Sequence, residues 1–252
     1  MPDSDHTHDD LLGGLVRLIQ PRKGQRASAD AVMLAAAVQA KGQGKTPARV
    51  LELGCGAGPA MLCLAARLKN VQVTGVELQP DLVVLCQRNI EENGLADRLA
   101  VKEGDIRNRI AGVAPGSFDQ VFANPPYYDT SRHRVSPHAG RATARSEGGE
   151  AELGVWIAAM LRHAKSGGGL TLIHTADRLA DILAGLTPKA GAIRVIPLFS
   201  RPGQPAKRVI VRAIKGSKAP LILDPGLVLH RVGNAYMPEI EAVLRDGAAF
   251  PV

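Results

Sequence analysis

The run Val50-Leu51-Glu52-Leu53 passes directly into Gly54-Cys55-Gly56-Ala57-Gly58, and that junction limits what the chain can fold into. A short, mostly apolar stretch followed by glycine at every second position describes a buried strand. It ends in a turn whose missing side chains let the backbone approach a ligand. Pro59 suits the first turn of a helix, which the alanine- and leucine-rich stretch 60–68 continues. Strands and helices alternate from about residue 48 onward: strands at 49–53, 71–76, 100–102, 118–123, 168–174, 193–198 and 208–213, helices at 60–68, 80–93, 152–163 and 176–186. This alternation predicts a mostly parallel sheet covered on both faces. The turn-rich Ser200-Arg201-Pro202-Gly203-Gln204-Pro205 is short enough to make the last two strands an antiparallel pair. The expected fold is α/β and Rossmann-like: seven strands, mostly parallel, the last antiparallel, with helices on both faces.

A chain of 252 residues fits one such domain, with no linker to divide it and no internal repeat. Hydrophobic content of 45% without a long uncharged apolar run argues against membrane spans. Residues 1–10 are acidic and polar, unlike a signal or transit peptide, so a disordered tail and a cytoplasmic location are expected. His6 and His8 in that tail are no metal site on this reading. The three cysteines, Cys55, Cys63 and Cys86, lack metal-ligand spacing and are read as small, reduced, buried side chains. No metal and no cysteine nucleophile are expected.

Net charge is +7, which favours a polyanionic partner. Arg132, Arg134, Arg141 and Arg145, with His133 and His138, fall in a loop of about 24 residues before the helix at 152–163; loops this long are usually functional or disordered. Arg17, Arg22, Lys23 and Arg26 form an early basic group, and Arg201, Lys207, Arg208, Arg212, Lys215 and Lys218 a late one that reads equally well as a solvated face.

Ligands of an open α/β sheet bind at the carboxyl ends of its strands, where the strand order switches. Gly54, Gly56 and Gly58 stand at such an end. A dinucleotide site would need a third glycine where Pro59 stands, and Glu52 suits a ligand carrying a cationic sulfonium and ammonium better than a pyrophosphate. Glu77, about 20 residues on, would bind two ribose hydroxyls through its two oxygens, although it reads otherwise as an incidental acid. Asp105 would accept from an adenine amino group; as an alternative it caps a following helix.

The strand at 118–123 closes on Asn124-Pro125-Pro126-Tyr127. With the glycine loop upstream, this motif describes a pocket holding S-adenosylmethionine against a planar exocyclic amine. The lone pair of such an amine is delocalised into its ring. Hydrogen bonds from both N–H groups, to the Asn124 side-chain carbonyl and the Pro125 backbone carbonyl, would draw the nitrogen toward tetrahedral geometry. The two prolines restrict the backbone, so these acceptors are preset. Tyr127 would stack on the base, which is worth about 1–3 kcal/mol.

The Glu-Leu-Gly-Cys-Gly loop with Asn-Pro-Pro-Tyr resembles the class I amino-methyltransferases. The segment Leu18-Ile19-Gln20-Pro21-Arg22-Lys23-Gly24-Gln25-Arg26-Ala27-Ser28-Ala29-Asp30-Ala31-Val32-Met33-Leu34-Ala35 is similar to the bacterial adenine-N6 methyltransferases that act in the anticodon loop of a valine tRNA. The likeness runs from about residue 12 to 212. It implies S-adenosylmethionine as cofactor and RNA, most often tRNA, as partner. It implies Asn124, Pro125 and Tyr127 at the reacting amine, and a cofactor set of Arg26, Ser28, Asp30, Glu52, Gly54, Cys55, Gly56, Gly58, Glu77, Leu78, Asp105, Ile106 and Asn124. Residues 11–45 would form a lead-in over the cofactor, though Ser28 or Asp30 reads equally well as a helix N-cap. The arginines at 132–145 would grip phosphates. A short Ala-Arg-His-Glu run typical of the family is Ala144-Arg145-Ser146-Glu147 here. Three alternatives share parts of the pattern: a glutamine methyltransferase acting on release factors, a guanine-N2 rRNA methyltransferase, and an RNA-binding protein without catalysis. The oligomeric state is not specified by any of these features.

Overall fold

The computed structural model describes residues 5–24, 26–40, 42–127 and 149–251. Its first element is one that the polar N-terminus did not announce. β1 (His6–Leu11) pairs antiparallel with β2 (Val16–Pro21), from His6↔Pro21 to Leu11↔Val16. The disordered tail expected for residues 1–10 is therefore corrected to a strand from residue 6. Polar contacts converging on one carboxylate explain it: Asp9 accepts from the Thr7 hydroxyl at 2.7 Å, Gln20 at 2.8 Å and Arg26 at 3.0 Å. The Gln20 bond leads in holding the Asp9 carboxyl below its ordinary range.

α1 (Ala29–Ala37) follows, then the alternating core. Its elements are β3 (Ala48–Leu53), α2 (Pro59–Arg67), β4 (Val71–Glu77), α3 (Pro80–Glu92), β5 (Leu99–Glu103) and β6 (Phe118–Ala123). After them come α4 (Gly149–His163), β7 (Ala164–Thr175), α5 (Leu179–Leu186), β8 (Ala190–Phe199) and β9 (Ala206–Lys215). The two-residue strands β10 (Ile222–Leu223) and β11 (Leu227–Val228) precede α6 (Pro238–Asp246).

The strand order is β10-β8-β9-β7-β6-β3-β4-β5, with β11 also on β8. Among the described residues the sheet has nine strands, the seven expected and two more. The two additions are too short to leave a periodic signal. β9 is antiparallel to both β7 and β8, as the tight turn before it required. The chain enters at β3 and builds outward in both directions, so the switch point lies between β3 and β6.

Side chains alternate across this sheet with the two-residue strand period. Val50 and Phe122 belong to an apolar layer built with α1, α2, α3 and α6. Leu51, Leu53, Val121 and Ala123 belong to a second layer with α4 and α5. Glu52 shares the face of Val50 and is carried into the first layer.

β2 lies outside the main sheet, so its backbone groups need partners elsewhere. Two asparagines supply them. Asn89 Oδ1 accepts from Ile19 N at 2.8 Å, and its Nδ2 donates to Ile19 O at 2.8 Å and Ala57 O at 2.9 Å. Asn93 does the same for Arg17, accepting at 2.9 Å and donating at 2.7 Å. Asn89 is wholly buried and ties the hairpin to the glycine loop. Asn89→Leu strands three backbone groups and should destabilise the protein by about 3 kcal/mol in urea denaturation. Asn93→Leu, at the exposed contact, should cost less.

Candidate functional site

Register decides the site. Leu53 pairs with Val76 of β4 and with Ala123 of β6, so Gly54, Glu77 and Asn124 stand side by side, each one residue further along. On the next strands, Ala123 pairs with Leu172 and Thr175 with Arg208. His174 and Arg208 therefore reach the same rim.

Gly54 and Gly58 turn the chain here with φ of +66° and +91°. A Cβ on Gly54 would lie 2.4 Å from Trp156 Cη2, and one on Gly58 would lie 2.8 Å from Cys86 Sγ. Both positions thus exclude side chains by conformation and by space.

A cavity opens over this turn, lined by Gln20, Arg26, Ser28, Glu52, Gly54, Cys55, Gly56 and Asn124 among others. Seven residues of the expected cofactor set meet there: Arg26, Ser28, Glu52, Gly54, Cys55, Gly56 and Asn124. Gln20 is an addition. It is buried, and its Oε1 accepts from Ala27 N at 2.7 Å, which shapes the lead-in. Its signal in the sequence was absent, because it depends on the hairpin.

Glu52 is 2% exposed, and its Oε2 has no hydrogen-bond partner among the described residues. Burial first, then nearby negative charge including Glu77, pushes its carboxyl well above the ordinary carboxylate range. A buried carboxylate with an unfilled acceptor, bordering a cavity, is the electrostatic complement of a cationic ligand.

The remaining predicted residues are not part of the cavity's lining. Glu77 Oε2 accepts from Gly56 N, and Oε1 accepts from Leu78 N and Gln79 N, each at 2.9 Å. A carboxylate has about four acceptor positions, so the capacity left for a ligand is on Oε2. The two oxygens of Glu77 are therefore unequally engaged by the backbone, two N–H groups on Oε1 and one on Oε2. Asp105 takes part in a turn, not a helix cap. It accepts from Arg107 N at 2.8 Å and pairs with the Arg107 guanidinium at 2.8 Å, which leads in lowering its pKa. Leu78 is exposed, and Ile106 packs against the second apolar layer. Gly58 is the N-cap of α2. Asp30 lies outside the cavity lining and pairs with Arg208 at 3.0 Å.

At the end of β6, the Tyr127 hydroxyl donates to Asn124 Oδ1. The ring of Tyr127 meets His174 edge-on, with centroids 5.2 Å apart. His174 is 2% exposed, and its Nδ1 lies 3.1 Å from Thr175 Oγ1. Burial lowers its pKa to about 4, so the imidazole is neutral at neutral pH. Burial likewise raises the Tyr127 phenol. Arg132, Arg134, Arg141 and Arg145 lie outside the described residues. The late basic group is dispersed: Arg201 holds Gly233 O at 2.6 Å, Arg212 is buried, and Arg208 stands over Tyr127. Among the described residues, no group of three or more His, Cys, Asp or Glu could hold a metal, and no helix is long and apolar enough to cross a membrane.

A family model described as a methyltransferase domain matches residues 50–144, the stretch holding both the glycine loop and the proline motif. The chain is a methyltransferase. It is 28% identical over 222 residues to a protein of Porphyromonas gingivalis named tRNA1(Val) (adenine(37)-N6)-methyltransferase, with 85% of each chain covered. A Yersinia pestis protein of the same name is 28% identical over 204 residues, covering 79% of this chain and 78% of its own. Among solved structures, a predicted O-methyltransferase, protein Atu636 from Agrobacterium tumefaciens, superposes with a TM-score of 0.69 at 28% identity. That match covers 87% of this chain and 97% of the other.

Glu52→Gln tests the electrostatics of this methyltransferase without a ligand. A carboxyl raised in the folded state favours folding fully only below the unfolded value of about 4.3, and that contribution is lost as pH rises through the folded value. The neutral variant should therefore melt higher than wild type at pH 8, and the difference should shrink as pH falls toward 4 in calorimetric scans.

Proposed function

We propose that this methyltransferase transfers a methyl group from S-adenosylmethionine to the exocyclic N6 amine of an adenine in RNA, most specifically tRNA. The observation that carries the reading is the placement of Glu52 and Asn124 on one cavity, at the ends of the adjacent strands β3 and β6. One is an unfilled buried carboxylate suited to a cation; the other is an amide acceptor suited to an amine. S-adenosylmethionine, when bound, supplies an electrophilic methyl group on a cationic sulfonium. Glu52, the glycine turn, Gln20 and Ser28 are the residues placed to hold its methionine half. Glu77, Leu78, Asp105 and Ile106 would take its adenosine on this reading.

At the amine, Asn124 Oδ1 now accepts from Tyr127. An amide oxygen carries two lone pairs, so it keeps one for a substrate N–H. Pro125 offers the second acceptor in a backbone that its ring restricts. Hydrogen bonds to both N–H groups draw the nitrogen lone pair out of conjugation and aim it at the methyl. Among the described residues, neither His174, which titrates at about 4, nor the Tyr127 phenol, which is held protonated, is poised as a base. None is needed, since the nitrogen becomes acidic once methylated. The chemistry therefore depends on placed acceptors.

The names of the relatives support adenine and tRNA, and the basic character of the chain supports a nucleic acid. A target adenine would have to leave its stack to reach Tyr127, which favours a loop over a duplex.

Labelled methyl transfer to unmodified total tRNA, with rRNA and release factor in parallel, tests the proposal. Wild type should yield N6-methyladenosine in tRNA. Asn124→Ala should lower the rate by at least about 100-fold while S-adenosylmethionine still binds. Label confined to protein would move the reaction to glutamine. Binding itself is readable from the one tryptophan, Trp156, which lies against Gly54. Glu52→Gln should weaken S-adenosylmethionine affinity at least about tenfold in that titration. Turnover should also fall steeply as salt is raised, because phosphate contacts release counterions.

A further inference from the structure

Arg208 enters the site from a strand to which the proposed chemistry gives no role. β9 runs antiparallel to β7, and its pairing with Thr175 brings Arg208 to the rim where β6 ends. The Arg208 guanidinium carbon lies 4.5 Å from the centre of the Tyr127 ring. Its Nε donates to the Asp30 carboxylate at 3.0 Å. The Tyr127 hydroxyl itself donates to Asn124 Oδ1. His174 holds the ring edge. Tyr127 is thus constrained at its face, its edge and its hydroxyl, and the face contact comes from a planar cation anchored on α1.

We infer that Arg208, oriented by Asp30, is a positioning residue for the reacting amine. It sets the Tyr127 ring that receives the base and, through the Tyr127 hydroxyl, the Asn124 acceptor. The inference rests on the adenine reading of the site. It gives Asp30 a different duty from the one expected of it: Arg26 and Ser28 line the cofactor cavity, whereas Asp30 turns to Arg208. A guanidinium is suited to this task because it lies flat on an aromatic face while its edge donates to a carboxylate. Lysine would keep the ion pair and lose the plane.

Two other roles predict different kinetics. A phosphate contact would raise the KM for RNA and would be largely restored by lysine. A cofactor contact through Asp30 would weaken S-adenosylmethionine binding. Positioning lowers the rate at saturation and leaves cofactor affinity in place.

The test is single-turnover methyl transfer at saturating tRNA and S-adenosylmethionine, with cofactor affinity read from Trp156 fluorescence. The variants are Arg208→Ala, Arg208→Lys and Asp30→Asn. Both Arg208 variants should lower the saturated rate about 100-fold, the scale of a misplacement near 1 Å. Asp30→Asn should lower it about tenfold, and all three should keep cofactor Kd within about threefold of wild type. A wild-type rate in Arg208→Lys, a defect confined to the KM for tRNA, or a Kd raised more than about tenfold by Asp30→Asn would overturn the inference. Should Arg208→Ala fail to fold by circular dichroism, the near-isosteric Asp30→Asn and Arg208→Lys still decide it. Wild type that labels no RNA would instead remove the adenine reading itself, and this inference with it.

Discussion

The pairing of β3 with β4 on one side and β6 on the other governs everything else in this molecule. Parallel strands place their carboxyl ends on one edge, and the shared register sets Gly54, Glu77 and Asn124 in a row there. A slip of one residue would turn every side chain to the opposite face. Glu52 would then leave the layer of α1 and α2, and Leu51 and Leu53 would lose theirs. The apolar residues on both faces resist such a slip, so the same burial that stabilises the sheet also aims the site.

That arrangement carries a cost at Glu52, a carboxylate in an apolar layer with one oxygen unfilled. The fold offsets it elsewhere with polar joints. Asn89 and Asn93 satisfy both backbone groups of Ile19 and Arg17, acting where a neighbouring strand would otherwise be. Asp9 gathers Thr7, Gln20 and Arg26 on the opposite side of the same hairpin. The hairpin beside the cavity is therefore held by these hydrogen bonds together with the buried side chains of Val16, Leu18 and Ile19.

The amine end follows a matching logic. Buried groups that do not change protonation near neutral pH surround the proline motif, His174 titrating at about 4 and Tyr127 raised by burial. Their service is geometric. They fix acceptors and a ring, and transfer from a sulfonium to an aromatic amine asks for orientation more than for proton removal.

Some of this was legible in the residues alone. Apolar strands of five or six residues, glycine at alternate positions and a proline pair fix local conformation, because they act through backbone sterics and burial period. Strand β6 was readable to the residue, as was the start of α3. The polar strand β1 was not, since its stability comes from contacts with Gln20 and Arg26 rather than from its own pattern. Asn89 carries no mark of its own within the helix at 80–93, and Asp30 reads as a cap or a cofactor ligand. Asp30 meets Arg208 across 178 residues of chain, a contact that no local spacing encodes. Strand periodicity and turn chemistry, which act between near neighbours, settled the sheet and the identity of the loop and motif. Which polar groups face one another across the rim was decided only when register, hairpin docking and the antiparallel return of β9 brought distant side chains within hydrogen-bonding distance.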